Sequence, residues 1–98
     1  MESLQQIING PVPVLVDFYA DWCGPCKAMN PVISSLGKQV QGKARVLNIN
    51  IDRNNALAQQ LGVQAVPTFI IFKQGKAVWR HSGMVDGRML EQQLMQQA

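Results

Sequence analysis

Apolar residues change their spacing several times along the chain, and each change marks an element. Leu4, Ile7 and Ile8 repeat at helical spacing behind Ser3, a capping residue with Gln6 three positions on, and Gly10 ends the run. Glu2 to Asn9 therefore predicts a short helix. From Val12 to Tyr19 nearly every residue is apolar and several are β-branched. That run predicts a strand covered on both faces, hence a central one. Met29, Val32, Ile33, Leu36 and Val40 then recur with helical period between Pro25, which suits a first helical turn, and Gly42. Pro31 falls inside this helix and removes one backbone hydrogen bond, so a bend near Ala28 is expected rather than a break.

The run Arg45 to Ile51 has another rhythm. Leu47, Ile49 and Ile51 alternate with Val46, Asn48 and Asn50, so only one face is strongly apolar and the strand reads as an edge. Asn54 or Asn55 can cap a short helix carrying Leu57 and Leu61, with Gly62 placed to end it in the left-handed conformation. Thr68 to Phe72 is a third, strongly apolar strand, and Gln74-Gly75 reads as a tight hairpin leading back into Ala77 to His81. A last helix, from Asp86 to about Gln97, puts Met89, Leu90 and Leu94 on an inward face. The order α-β-α-β-α-β-β-α combines a β-α-β crossover with a hairpin and a final helix. The fold class is α/β, a mixed sheet between helical layers. At 98 residues the chain has room for one core, so residues 1–98 are expected to form one domain.

Composition narrows the function classes. With 47% apolar and 15% charged residues the chain is too apolar and too weakly charged for a disordered one. No apolar run reaches the roughly 18–20 residues that span a bilayer. The N-terminus lacks the basic segment followed by an apolar stretch of a secretory signal, so no membrane association and a cytoplasmic location are expected. The net charge of +3 comes from nine scattered Lys and Arg residues without a run, which argues against nucleic-acid binding and reads as solubility.

The chemistry concentrates in Trp22-Cys23-Gly24-Pro25-Cys26-Lys27, which holds both cysteines and stands directly behind the first strand. Two thiols two residues apart at a helix start can close and reopen a disulfide, and the helix N-terminus favours a thiolate on the first. Cys23 is then the nucleophile, and Cys26, one turn further in, resolves the mixed disulfide. A structural zinc needs four ligands, whereas the chain offers these two cysteines and His81, so no metal site is expected within one chain. A cluster shared between two chains stays open. Trp79, His81 and the five methionines read as packing residues.

The hexapeptide, together with Val16-Asp17-Phe18-Tyr19-Ala20 upstream and Val66-Pro67-Thr68 and Gly83 downstream, closely resembles the thioredoxin family from about Val12 to Ala98. The resemblance implies the thioredoxin-like fold and reduction of protein disulfides. It also implies that no cofactor is bound and that electrons come from an NADPH-linked thioredoxin reductase. Asp17, buried among apolar neighbours, becomes the candidate for proton transfer with Cys26, through water. Trp22, Gly24, Pro25 and Lys27 make up the active-site loop, with the Gly-Pro pair placing it among reducing members. Val66-Pro67 resembles a cis-proline loop beside the cysteines, where the Val66 backbone pairs with an extended substrate segment. Gly62, Val63, Gly83 and Met84 complete a flat apolar docking patch with Trp22.

Two departures from the family pattern change the expectations. Only Met1 and Glu2 precede the Ser3 cap, so the family's first strand is expected to be missing. That leaves a four-stranded mixed sheet flanked by four helices, in the order second, first, third, fourth strand. The strand 45–51 then lies at an exposed edge, guarded by Asn48, Asn50 and the flanking arginines, and allows a monomer or a weak dimer. Asn48 stands where many relatives carry a lysine near the buried aspartate, so the Asp17 pKa should be raised by burial with less charge compensation. A non-catalytic docking or assembly subunit of the same fold, and a disulfide isomerase or oxidant, remain alternatives at this point.

Overall fold

The computed structural model describes residues 3–98. Its elements are α1 (Leu4–Ile8), β1 (Val14–Tyr19), α2 (Gly24–Gln39), β2 (Arg45–Asn50), α3 (Asn55–Gln60), β3 (Thr68–Lys73), β4 (Lys76–Ser82) and α4 (Gly87–Met95). The strands form one four-stranded sheet in the order β2-β1-β3-β4. β1 runs parallel to β2 and antiparallel to β3, with Asp17 level with Asn48 on one side and Phe69 on the other. The central position inferred for β1 and the edge position inferred for β2 are both observed. Ser3 caps α1 through a capping box with Gln6. The helix start expected at Glu2, and the question of what precedes the cap, lie outside the described residues; among those residues no strand precedes α1.

Each face of the sheet carries its own apolar layer, because β1 and β3 alternate side chains between the two faces. Leu15, Phe69 and Ile71 meet Met29, Ile33 and Leu36 of α2 and Leu90 and Leu94 of α4. Val14, Val16, Phe18, Ile70 and Phe72 meet Ile8 and Ala58 on the opposite side. Burying a side chain of this size contributes about 1.5–3 kcal/mol, so the two layers dominate the stability of the fold. α2 runs without interruption through Pro31. α4 comes so close to α2 that a Cβ on Gly87 would lie 2.7 Å from Val32 Cγ1, which explains the glycine there. The β3–β4 turn places Gln74 at φ 51° and Gly75 at φ 83°, the paired positive values of a two-residue hairpin. Its tip is tied to α1 by Gly75 N–H donating to the Ile8 carbonyl at 2.8 Å.

Three local expectations are corrected. Met89 is 42% exposed, since α4 turns only Leu90 and Leu94 fully inward. Asn50 is buried and does not guard the edge: its Oδ1 accepts from Asp52 N–H at 2.8 Å and from Arg53 N–H at 3.3 Å. Asn54 is the N-cap of α3 but makes no side-chain cap hydrogen bond. Its amide donates to the Asn50 carbonyl at 2.9 Å instead.

Candidate active site

β1 ends at Tyr19, and the chain turns at once into α2: Cys23 N–H donates to the Ala20 carbonyl at 3.2 Å. Cys23 is the N-cap of α2 in extended conformation, with Pro25 in the first turn, where its missing N–H leaves nothing unpaired. The Cys23 sulfur takes the place of the usual capping oxygen and accepts Cys26 N–H at 3.1 Å. A helix N-terminus carries partial positive charge, so this contact stabilises negative charge on the Cys23 sulfur. Cys23 and Cys26 are joined by a disulfide, with their Cα atoms 5.3 Å apart. In this oxidised form both are buried, 4% and 3% exposed. They pack with Ala20, Tyr19, Ile51 and Val66.

Val66 reaches the cysteines from the loop between α3 and β3, and its peptide bond to Pro67 is cis. The loop is tethered to the hairpin beside it: Gly83 N–H donates to the Pro67 carbonyl at 2.8 Å, and Thr68 Oγ1 donates to the Ala65 carbonyl at 2.6 Å. Cys23, Cys26 and Val66 are therefore assembled in one place, followed by the buried Pro67, to which Gly83 is joined. Gly62 and Met84, expected in the docking patch, are exposed on the flanking loops. Val63 is not part of such a surface. Its side chain is buried with Ile8 and Ala58 under the opposite sheet face, and its N–H donates to the Ala58 carbonyl at 2.8 Å to close α3. Gly24, Pro25 and Lys27 are exposed on the first turn of α2.

Asp17 sits in the middle of β1, fully buried on the same sheet face as Leu15, the face that α2 covers. Its Oδ1 is, among the described residues, the buried side-chain polar atom left without a hydrogen-bond partner. Burial pushes its carboxyl from 3.8 up to about 6. Its neighbour in register on β2 is the neutral, exposed Asn48, so nothing there offsets the cost of ionisation.

Asp52 and Asn50 also belong to this region, although hydrophobic patterning gave no sign of either. Trp22 is 69% exposed, and its Nε1–H donates to Asp52 Oδ2 at 2.9 Å. Asn50 in turn holds Asp52 through its backbone N–H. The only signal in the chain was the Asn and Asp content of the stretch after β2, which marks a turn without saying what it faces. Among the described residues no three or more His, Cys, Asp or Glu side chains gather as they would around a metal ion.

A family model described as Thioredoxin matches residues 2–96. The chain belongs to the thioredoxin family. It is 42% identical over 90 residues to Thioredoxin 1 of Nostoc sp., covering 92% of this chain and 84% of that one. It is 43% identical over 72 residues to a thioredoxin of Rickettsia conorii, covering 74% of this chain and 69% of that one. Among solved structures, a mutant thioredoxin from Halobacterium salinarum superposes with a TM-score of 0.86 at 38% identity, over 96% of this chain and 81% of that one.

A thioredoxin with this Cys-x-x-Cys pair is a thiol–disulfide oxidoreductase, and its reaction is the reduction of protein disulfides. The electrons balance within the pair. Oxidising two thiols to the Cys23–Cys26 disulfide releases the two electrons that turn a substrate disulfide into two thiols.

Proposed function

We propose that in this protein-disulfide reductase Cys23 is the attacking sulfur and Cys26 the resolving one. The observation that carries this assignment is the hydrogen bond from Cys26 N–H to the Cys23 sulfur at the N-terminus of α2. It favours a thiolate on Cys23 and offers Cys26 no comparable donor. The Cys23 thiolate attacks one sulfur of the substrate, forming a mixed disulfide and expelling the other as thiolate. Cys26 then attacks Cys23, which closes the internal disulfide and releases the second substrate thiolate. Asp17 takes the Cys26 proton through water, and its raised pKa of about 6 suits a group that must both accept and return a proton near neutral pH.

Substrate docks on Trp22, the Val66 backbone, Gly62, Gly83 and Met84, pairing as an added strand along Val66, while the buried Pro67 fixes the path of that backbone. Gly24, Pro25 and Lys27 hold the loop between and beyond the cysteines. A thioredoxin reductase drawing on NADPH recharges the pair, in the cytoplasm. The protein works as one domain over residues 1–98, as a monomer or as a weak dimer through the outer edge of β2; a tight dimer in sedimentation would exclude this.

Trapping decides the order of the sulfurs. Cys26→Ser incubated with an oxidised protein should accumulate a mixed disulfide at Cys23, visible by mass spectrometry, whereas Cys23→Ser should accumulate none. A stable adduct on Cys23→Ser would reverse the two roles. The pair should titrate near the roughly −270 mV of reducing thioredoxins, and a value above about −200 mV would make it an oxidant or isomerase.

A further inference from the structure

Arg80 lies on β4, opposite Ile70 of β3, and its guanidinium reaches the end of α3. Nη2 donates to the Gly62 carbonyl at 2.7 Å, and Nη1 donates to the Leu61 carbonyl. Neither carbonyl is taken by the backbone closure of the helix. Val63 N–H takes the Ala58 carbonyl at 2.8 Å and Gly62 N–H the Gln59 carbonyl at 3.0 Å, the paired closure that follows a left-handed residue, here Gly62 at φ 68°. The Leu61 and Gly62 carbonyls lie outside that closure. Arg80 holds both with one rigid fork, and its positive charge faces the negative end of the helix dipole.

The segment that Arg80 holds runs straight into Val66-Pro67. Between Gly62 and Pro67 the loop has only a few further anchors, and two of them come from the same hairpin: Thr68 Oγ1 on Ala65 and Gly83 N–H on Pro67. Thr68 Oγ1 is itself 3.1 Å from Ser82 Oγ of β4. The β3–β4 hairpin therefore grips the docking loop along its length, and Arg80 is the grip where the loop leaves α3. We infer that Arg80 is a positioning residue for substrate recognition: by clamping the Leu61 and Gly62 carbonyls it sets the path of the Gly62–Val66 segment along which an oxidised protein substrate docks. This inference rests on the docking reading above. A lysine in its place has one point charge and cannot hold two carbonyls in a fixed plane.

The test compares Arg80→Met and Arg80→Lys with the unaltered protein, using insulin as the protein disulfide and hydroxyethyl disulfide as a small one without backbone to pair. The expected result is a KM for insulin about 5- to 10-fold higher in Arg80→Met with kcat retained, and a smaller rise in Arg80→Lys. Turnover of the small disulfide and the reduction potential should stay unchanged in both. Unchanged KM in Arg80→Met overturns the inference, and so does a parallel fall with both disulfides or a shifted potential, which would mean general loosening of the fold. Met84→Ala separates the two readings. If it raises the insulin KM while Arg80→Met does not, the docking surface stands and the role of Arg80 falls. If neither variant raises it, both fall.

Discussion

Two aspartates, Asp17 and Asp52, carry the same side chain in opposite surroundings. Asp17 lies in the middle of β1, buried, with Oδ1 lacking a partner and a pKa pushed up to about 6. Asp52 lies on the outer side, two residues past β2, exposed, with Trp22 Nε1–H on one of its oxygens. The fold thus places a carboxylate that is costly to ionise on the side that faces the core. At the surface it places one that accepts the Trp22 Nε1–H. What separates them is solvation: water solvates the charge on Asp52, and no hydrogen bond to Asp17 Oδ1 replaces the water it has lost.

The largest effect should come from removing the inner charge. Because the folded-state pKa of Asp17 lies above its unfolded value, the folded form carries no penalty below about pH 4. It loses stability as pH rises through about 6 and carries the whole cost above that. Asp17→Asn should therefore stabilise the oxidised protein at pH 7.5 by about 2–3 kcal/mol and leave it nearly unchanged at pH 3. Urea unfolding at the two values measures this, and an equal difference at both would break the contrast between the aspartates. The same variant should lose the rise in turnover through pH 6 if Asp17 moves the Cys26 proton.

A smaller effect is expected from the outer scaffold. Asn50→Ala removes the acceptor for the Asp52 and Arg53 N–H groups and should cost about 1–2 kcal/mol, read by the same unfolding experiment. Trp22 fluorescence should change with it, since Asn50 holds Asp52 under the indole. The smallest is Asp52→Ala. Its exposed hydrogen bond to Trp22 should cost no more than about 0.5–1 kcal/mol, with a change in Trp22 emission but no pH-dependent gain like that of Asp17→Asn. A gain as large as the inner one would mean that burial is not what distinguishes the pair.

The hairpin at Gln74-Gly75, the left-handed end at Gly62 and the edge character of β2 were legible because each follows from local spacing or from the φ a residue can adopt, whereas the sheet order was legible only through the family resemblance. Met89 was misplaced because two positions of a helix repeat can serve one face and only packing against α2 decides which is covered. Asn50 looked like an edge guard because alternation points it away from Leu47 and Ile49. The turn after β2 instead needed its oxygen for two N–H groups. Val63 carried an apolar side chain into a surface inferred by resemblance, yet the closure of α3 turns it into the core.

The chain by itself determined where the reactive sulfurs stand, since a strand running into Cys-Gly-Pro-Cys at a helix start is a local arrangement that apolar period and proline preference enforce. Tertiary structure alone decided what surrounds them. That Val66 packs on the disulfide, that Asp52 reaches Trp22 across 30 residues, and that Arg80 closes α3 from 18 residues further on depend on how β2, β3 and β4 lie beside one another. Such contacts form between segments with no local preference for each other. They exist only because burying the two apolar layers fixes the sheet, and the sheet then brings the polar groups at its rim within hydrogen-bond reach.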